Sequence, residues 1–254
     1  GPLSPRIYYR KGAGSYFSQA CSLTGGTTTN GTWDCVVNNA DLGGVAPADV
    51  ISYFVIAQDT LGNIGSNPAG AVASDVTVLI APPAAPSTYT IVAPFTGSYD
   101  IGTGQTYTSL TNPGGIFEAI NAGALTGSVV LNIVSDLAGE TGTHALNQWA
   151  EDGVGGYTLT LVPFGAPRII SGTTTGSTGL IRLHGADRVT IDGSLSAGTD
   201  RSLTITTGNS SGVVIWISSA SASNGAGNNT VKNCIISGST GVTAIAGILT
   251  GGST

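Results

Sequence analysis

From Val129 onward the hydrophobic residues come only in brief runs, and Gly, Ser, Thr or Asn breaks every one. The runs are Val129 to Val134, Tyr157 to Val162, Arg168 to Ile170, Leu180 to Leu183, Val189 to Ile191, Leu203 to Thr206, Val213 to Ile217, Thr230 to Ile236 and Val242 to Ile248. Three short runs per loose repeat of roughly 20–30 residues predict a parallel β-solenoid, whose coils stack at about 4.8 Å and bury a narrow core.

Composition agrees. Of the 254 residues, 41% are hydrophobic and 9% charged, against a usual charged share of about 25%. Thirty-nine glycines would suit a low-complexity chain, but the recurring Val, Ile and Leu clusters can bury a core, so a turn-dense all-β protein fits better than disorder. Lys and Arg number 8 against 14 Asp and Glu, for a net charge of -6, and the basic residues are scattered. That excludes a phosphate-tracking nucleic-acid surface and argues against anionic membranes. No apolar run approaches the roughly 20 residues needed to span a bilayer, so no membrane insertion is expected. The chain opens Gly1-Pro2 without Met, as a mature or cleaved fragment would.

The clearest punctuation is Ala81-Pro82-Pro83-Ala84-Ala85-Pro86-Ser87, because proline cannot donate to a ladder and stiffens an extended chain. Residues 82–88 read as a linker between a domain at 1–81 and another at 89–254. Before the linker, alternating runs at Arg6 to Lys11, Tyr16 to Ala20, Thr32 to Val37, Val50 to Gln58 and Asp75 to Ile80 predict strands. After it, Asn112-Pro113 followed by Ile116, Phe117 and Ile120 predicts a short helix, with Asn as its cap and Pro at its first position.

Cys21 and Cys35 bracket the hairpin-like stretch Leu23 to Trp33, whose Asn30-Gly31 turn signal brings two strands together. A disulfide is expected; the alternative is a pair of reduced, half-buried thiols in a cytosolic protein. Cys234, in an alternating run, is expected to face inward as a small apolar residue.

Two resemblances follow from particular stretches. Asp49 to Asp59 with Gly62-Asn63 resembles the penultimate strand and final hairpin of immunoglobulin- or fibronectin-III-like sandwiches in secreted bacterial proteins. Such a sandwich has about seven strands and only five runs are visible, so leading strands are expected upstream of Gly1. Tyr107 to Ala122 with Val129 to Ile133, then Leu180 to Gly193, then Asn228 to Gly238, resemble right-handed parallel β-helix proteins of the pectin-lyase-like superfamily: a capping helix, consecutive coil faces and an Asn-rich corner. The resemblance implies an incomplete N-terminal sandwich followed by a right-handed β-helix.

Candidate chemistry is sparse. Gln58-Asp59-Thr60-Leu61 matches a tetrapeptide of the pectin methylesterases, in which Gln supports an oxyanion and Asp is a general acid, but it precedes the linker, where an ordinary hairpin is expected. Asp187 and Asp192, with Arg182, His184 and Arg188 nearby, are the acid/base or metal candidates; coil-corner hydrogen bonding is the favoured reading of both. No cofactor is expected. The oxygen-rich sets for Ca2+, Asp59 with Asn63 and Glu140 with Glu151 and Asp152, lack EF-hand spacing. Asn30, Asn209 and Asn228 begin Asn-x-Ser/Thr sequons, several of which arise by chance in such a composition. Among Trp33, Trp149 and Trp216, the loop residue Trp149 is the carbohydrate-contact candidate.

The expected function is a non-enzymatic extracellular or cell-surface segment, structural, adhesive or filament-forming; the alternative is a carbohydrate-binding or polysaccharide-active β-helix whose catalytic coils lie outside this chain. The last run, Val242 to Ile248, is strand-like with no amphipathic cap after it. Its coil is therefore expected to stack head to tail on another copy, to meet another surface protein, or to continue in a longer chain.

Overall fold

The computed structural model describes residues 4–175, 178–195, 197–238 and 244–252. The chain divides into two compact units, Gly1–Ala93 and Pro94–Thr254.

The first unit is built on one long strand. Its elements are β1 (Arg6–Lys11), β2 (Phe17–Ala20), β3 (Ser22–Gly26), β4 (Gly31–Asp34), β5 (Val50–Gln58), β6 (Ile64–Asn67), β7 (Val72–Asp75), β8 (Val78–Ala81) and β9 (Ser87–Thr90). β5 pairs antiparallel with β1 along one edge, while β6 and β9 share its other edge and β2 extends the sheet beyond β1. Alternation gives β5 two buried faces. Ile51 joins Ile7, Tyr9, Cys21 and Leu42 under the β3–β4 hairpin, with Trp33, Cys35, Tyr53 and Val55 packed around them. On the opposite face Phe54 and Ile56 join Tyr8 and Val76 with Ala73 and Leu79 of the β7–β8 hairpin. The unit is thus an antiparallel five-stranded sheet with a small hairpin on each face, rather than two full sheets packed together.

Two expectations change here, and a third is met. The run Asp75 to Ile80 is not one strand: β7 ends at Asp75, Val76 and Thr77 turn, and β8 begins at Val78, because the Asp75 carboxylate accepts both the backbone N–H and the hydroxyl of Thr77. The compact unit extends past the proline-rich residues 82–88, since β9 pairs with β5 and Ile91 bonds Asp49. The Cys21–Cys35 disulfide is present and joins the residues flanking β3 and β4.

The second unit is a parallel β-solenoid. It comprises β10 (Pro94–Ile101), α1 (Ile116–Ala122), β11 (Ala124–Ile133), β12 (Leu137–Glu140), β13 (Leu146–Asn147), β14 (Ala150–Glu151), β15 (Leu159–Pro163), β16 (Arg168–Gly172), β17 (Gly179–His184), β18 (Val189–Asp192), β19 (Leu203–Thr207), β20 (Val213–Ser218), β21 (Thr230–Lys232), β22 (Cys234–Gly238) and β23 (Ala246–Thr250). From β11 onward each coil places one strand on each of three parallel sheets, ordered β10-β11-β15-β18-β21, β12-β16-β19-β22 and β13-β17-β20-β23. Like residues stack in register: Leu131, Leu161, Ile191 and Val231 on the first sheet, Leu137, Ile170, Ile205 and Ile236 on the second, Ile181, Ile215 and Ile248 on the third. Burial is complete in the lower members and falls to half-buried or exposed in Val231, Ile236 and Ile248. Of the run Val242 to Ile248, residues 242 and 243 lie outside the described residues, and the strand begins at Ala246.

The solenoid's first end is closed by residues 107–122. α1 buries Ile116, Phe117 and Ile120, and Asn121 ties it to the first coil by donating to the Ala145 carbonyl and accepting from the Asn147 N–H. Asn112 is not the helix cap. Gly115 holds that position with no side-chain hydrogen bond, while Asn112 accepts from the backbone and hydroxyl of Thr141 and donates to the Gly139 carbonyl. Glu140 completes the closure. Its carboxylate, 1% exposed, accepts from Ser109 Oγ at 2.9 Å, Leu110 N at 3.0 Å, Thr111 N at 2.7 Å and Thr111 Oγ1 at 2.5 Å.

The disulfide gives this fold a direct test. Under denaturing, non-reducing conditions one thiol per chain, that of Cys234, takes up alkylating reagent, and reduction raises the uptake to all three cysteines. A Cys21→Ser, Cys35→Ser double variant loses about 3 kcal/mol from the first unit in denaturant titration, the entropy of a loop of this length. Three labels before reduction would contradict the bridge.

Candidate functional site

The solenoid's carboxylates were the sequence's candidates for chemistry, and the fold assigns each to its own corner. Asp187 accepts from the Gly227 N–H at 2.5 Å, and its own N–H donates to Gln148 Oε1. Asp192, at the end of β18, accepts from Ser194 N at 3.1 Å and Asn233 Nδ2 at 2.9 Å and pairs with Lys232 Nζ at 3.1 Å. Burial alone would raise the Asp192 pKa, but Asn233, Ser194 and Lys232 outweigh it and hold the carboxyl below its ordinary value. The two side chains thus bond at opposite ends of β21 and do not face one another as an acid and a base.

Asp200 was not singled out in the sequence. It accepts from Ser194 Oγ, Leu195 N and Ser202 Oγ, and these bonds lower its pKa from 3.8 to about 2. The Ser-rich flank of that aspartate was the available signal. On the third sheet, His184 Nδ1 lies 3.1 Å from Ser218 Oγ on the next coil; burial and then Arg182 lower its pKa.

Trp149 is not a sugar platform. It is 4% exposed, its indole N–H donates to Glu151 Oε1, and the Arg188 guanidinium lies 5.9 Å from its ring. Glu151 is the hub of this cluster, accepting also from Tyr157 N, Gly156 N and Arg188 Nη2. Burial would raise its pKa, but these donors prevail and lower it. Arg188 carries a left-handed φ of 61° and donates again to the Tyr157 carbonyl. Trp216, 8% exposed, donates to the Gly251 carbonyl. With Glu140 at the cap and Glu151 in this hub, the Glu140, Glu151 and Asp152 set does not converge, and among the described residues no three His, Cys, Asp or Glu side chains do.

Cys234 stands over Leu203 in an inward column, half-buried, and burial followed by the nearby Asp192 raises its thiol to about 11. The thiolate is the nucleophile, and burial disfavours that form here.

In the first unit Asp59 belongs to the turn between β5 and β6. Its carboxylate accepts from Leu61 N, Asn63 N and Asn63 Nδ2, which lowers its pKa, Asn63 contributing most. The Gln58-Asp59-Thr60-Leu61 motif is therefore a hairpin turn. That turn borders a groove of about 760 Å³, which the hairpin tip at Thr28 to Gly31 and the half-buried Trp33 also line. Asn30 sits at that tip, while Asn209 donates to Thr174 on the preceding coil and Asn228 occupies a left-handed corner at φ 56°.

No protein-family model, curated protein or solved structure matches this chain.

The corner carboxylates have a pH signature. A carboxyl whose folded pKa is lowered stabilises the fold fully above its unfolded value and loses that contribution as pH falls through the folded value. For Asp200 the window runs from about pH 4 down to about pH 2, and Asp192 loses its contribution in the same direction, as pH falls below the ordinary aspartate value. The Tm of the solenoid falls across that window, and Asp200→Asn flattens part of the fall. An identical pH profile for the variant would contradict the assignment.

Proposed function

We propose that this chain is an extracellular structural and adhesive segment of a bacterial surface or secreted protein. A disulfide-closed antiparallel β-module here precedes a right-handed β-helix of the pectin-lyase-like kind. One observation carries the reading: Glu140, Glu151, Asp187, Asp192 and Asp200 each bond donors that close or join coils of their own solenoid. Polar side chains in this role build a rigid rung-on-rung scaffold. The disulfide fits an oxidising compartment, and no helix among the described residues is long and apolar enough to cross a membrane.

Association follows from the same geometry. Among the described residues β21, β22 and β23 lie last in the three sheets, with Ile235, Ile248 and Leu249 exposed, and a parallel edge accepts further strands, whether from a continuing chain or from another molecule. The proposed partners are a second copy stacked head to tail or another surface protein.

Brief trypsin treatment of intact source cells releases peptides of this chain. Recovery only after lysis would contradict the location. Incubation with pectin or polygalacturonate, with or without Ca2+, yields no product. Turnover that disappears in Asp187→Ala or Asp192→Ala would overturn the structural reading.

A further inference from the structure

One face of the first unit's sheet is left bare at one end. Along β5, Ile51, Tyr53 and Val55 pack into the cluster around Tyr9. The next residue on that face is Ala57, and its register partner on β6 is Gly65. Cross-strand partners project to the same side, so the sheet ends in a floor with no bulk on it. A Cβ at Gly65 meets nothing within 4 Å.

Trp33 stands beside this floor. It packs against the Ile7, Tyr9, Cys21, Leu42 and Ile51 cluster and also lines the groove. Its indole N–H makes no hydrogen bond to a described residue, and neither do the side chains of Asn30 and Thr60 on the two walls. Gln58 donates to the Gly62 carbonyl and Asn63 to Asp59, which leaves both amide oxygens open as acceptors.

Both walls are fixed in advance. The disulfide closes the base of the hairpin that carries Trp33, and the Asp59 carboxylate locks the opposite turn. Walls held this way lose little freedom when a ligand arrives.

A pyranose ring offers an apolar C–H face and a rim of hydroxyls that both donate and accept. An indole plate beside short amides and a carboxylate matches those two features. The groove, at about 760 Å³, falls within the roughly 300–1,000 Å³ typical of small-ligand sites. No Lys or Arg lines it, Asp59 does, and the chain carries a net charge of -6, so an anionic sugar is repelled. We propose that this groove binds a neutral glycan, with one pyranose ring stacked on Trp33 and its hydroxyls bonded to Asn30, Gln58, Asp59 and Asn63.

The inference rests on the adhesive reading for its biological sense and on the groove for its chemistry; loss of glycan binding would leave the result of trypsin treatment of intact cells where it stands. The test is affinity electrophoresis of the native protein through gels containing galactomannan, xyloglucan, mixed-linkage β-glucan or dextran, with polygalacturonate as the anionic comparison. At least one neutral polysaccharide retards the protein and shifts its tryptophan emission, a signal that reports Trp33 because Trp149 and Trp216 are buried. Trp33→Ala weakens the interaction at least tenfold. Because Trp33 also packs on the core, Gly65→Leu is the decisive variant: it fills the floor from open space, keeps the circular dichroism of the wild type and weakens binding by a similar factor. Retardation by none of the neutral polysaccharides, binding by Gly65→Leu within twofold of the wild type, or equal retardation by polygalacturonate would each overturn the proposal.

Discussion

Glu140 carries a carboxylate into the interior of the solenoid with 1% of its surface exposed, and four neutral donors from Ser109, Leu110 and Thr111 receive it. A buried carboxylate is tolerated only when hydrogen bonds replace its lost water. The chain between β10 and α1 is therefore held against the end of β12, and α1 is held against the first coil. The apolar columns of all three sheets start from that closed end. Without it, Leu110, Ile116 and Phe117 would lose the position that buries them.

The same rule repeats at the corners. Parallel coils approach so closely that a Cβ at Gly172 would lie 1.8 Å from the Glu140 carbonyl oxygen, and one at Gly193 would lie 1.9 Å from that of Asn233. Asn233 adopts a left-handed φ of 57° and donates to Asp192 one coil back. Asn229 accepts from the Val189 N–H and donates to the Ala186 carbonyl. Asp192, Asn229 and Asn233 thus fasten one coil to the next, and the first unit carries an open groove beside Trp33.

What could be read from the sequence was what repeats or alternates. The runs at Arg6 to Lys11 and Val50 to Gln58 coincide with β1 and β5, and the short runs after Val129 fall on the three sheets because alternation and turn residues are local properties. The Cys21–Cys35 bridge was legible for the same reason, since both cysteines flank one hairpin. Pairings across coils were not. Asn112 carries the residue type of a cap but bonds Thr141, and Trp149 sits in a loop yet is covered by Arg188 and Glu151. Thr141 and Arg188 both lie far along the chain from the residues they meet. The floor made by Ala57 and Gly65 depends on a cross-strand register that neither residue announces, and Glu140 gives no sign in the sequence that it will be buried.

The most direct test is chemical denaturation of Glu140→Ala and Glu140→Gln, followed by amide hydrogen exchange. Removing the carboxylate strands buried donors at roughly 1–3 kcal/mol each, so Glu140→Ala costs the second unit at least about 3 kcal/mol. Glu140→Gln is also destabilised, because its amide group turns a donor toward donors. Exchange accelerates at Leu110, Thr111 and the first coil while the first unit keeps its protection. Stability of both variants within about 0.5 kcal/mol of the wild type, the range of an ordinary surface change, would contradict the account.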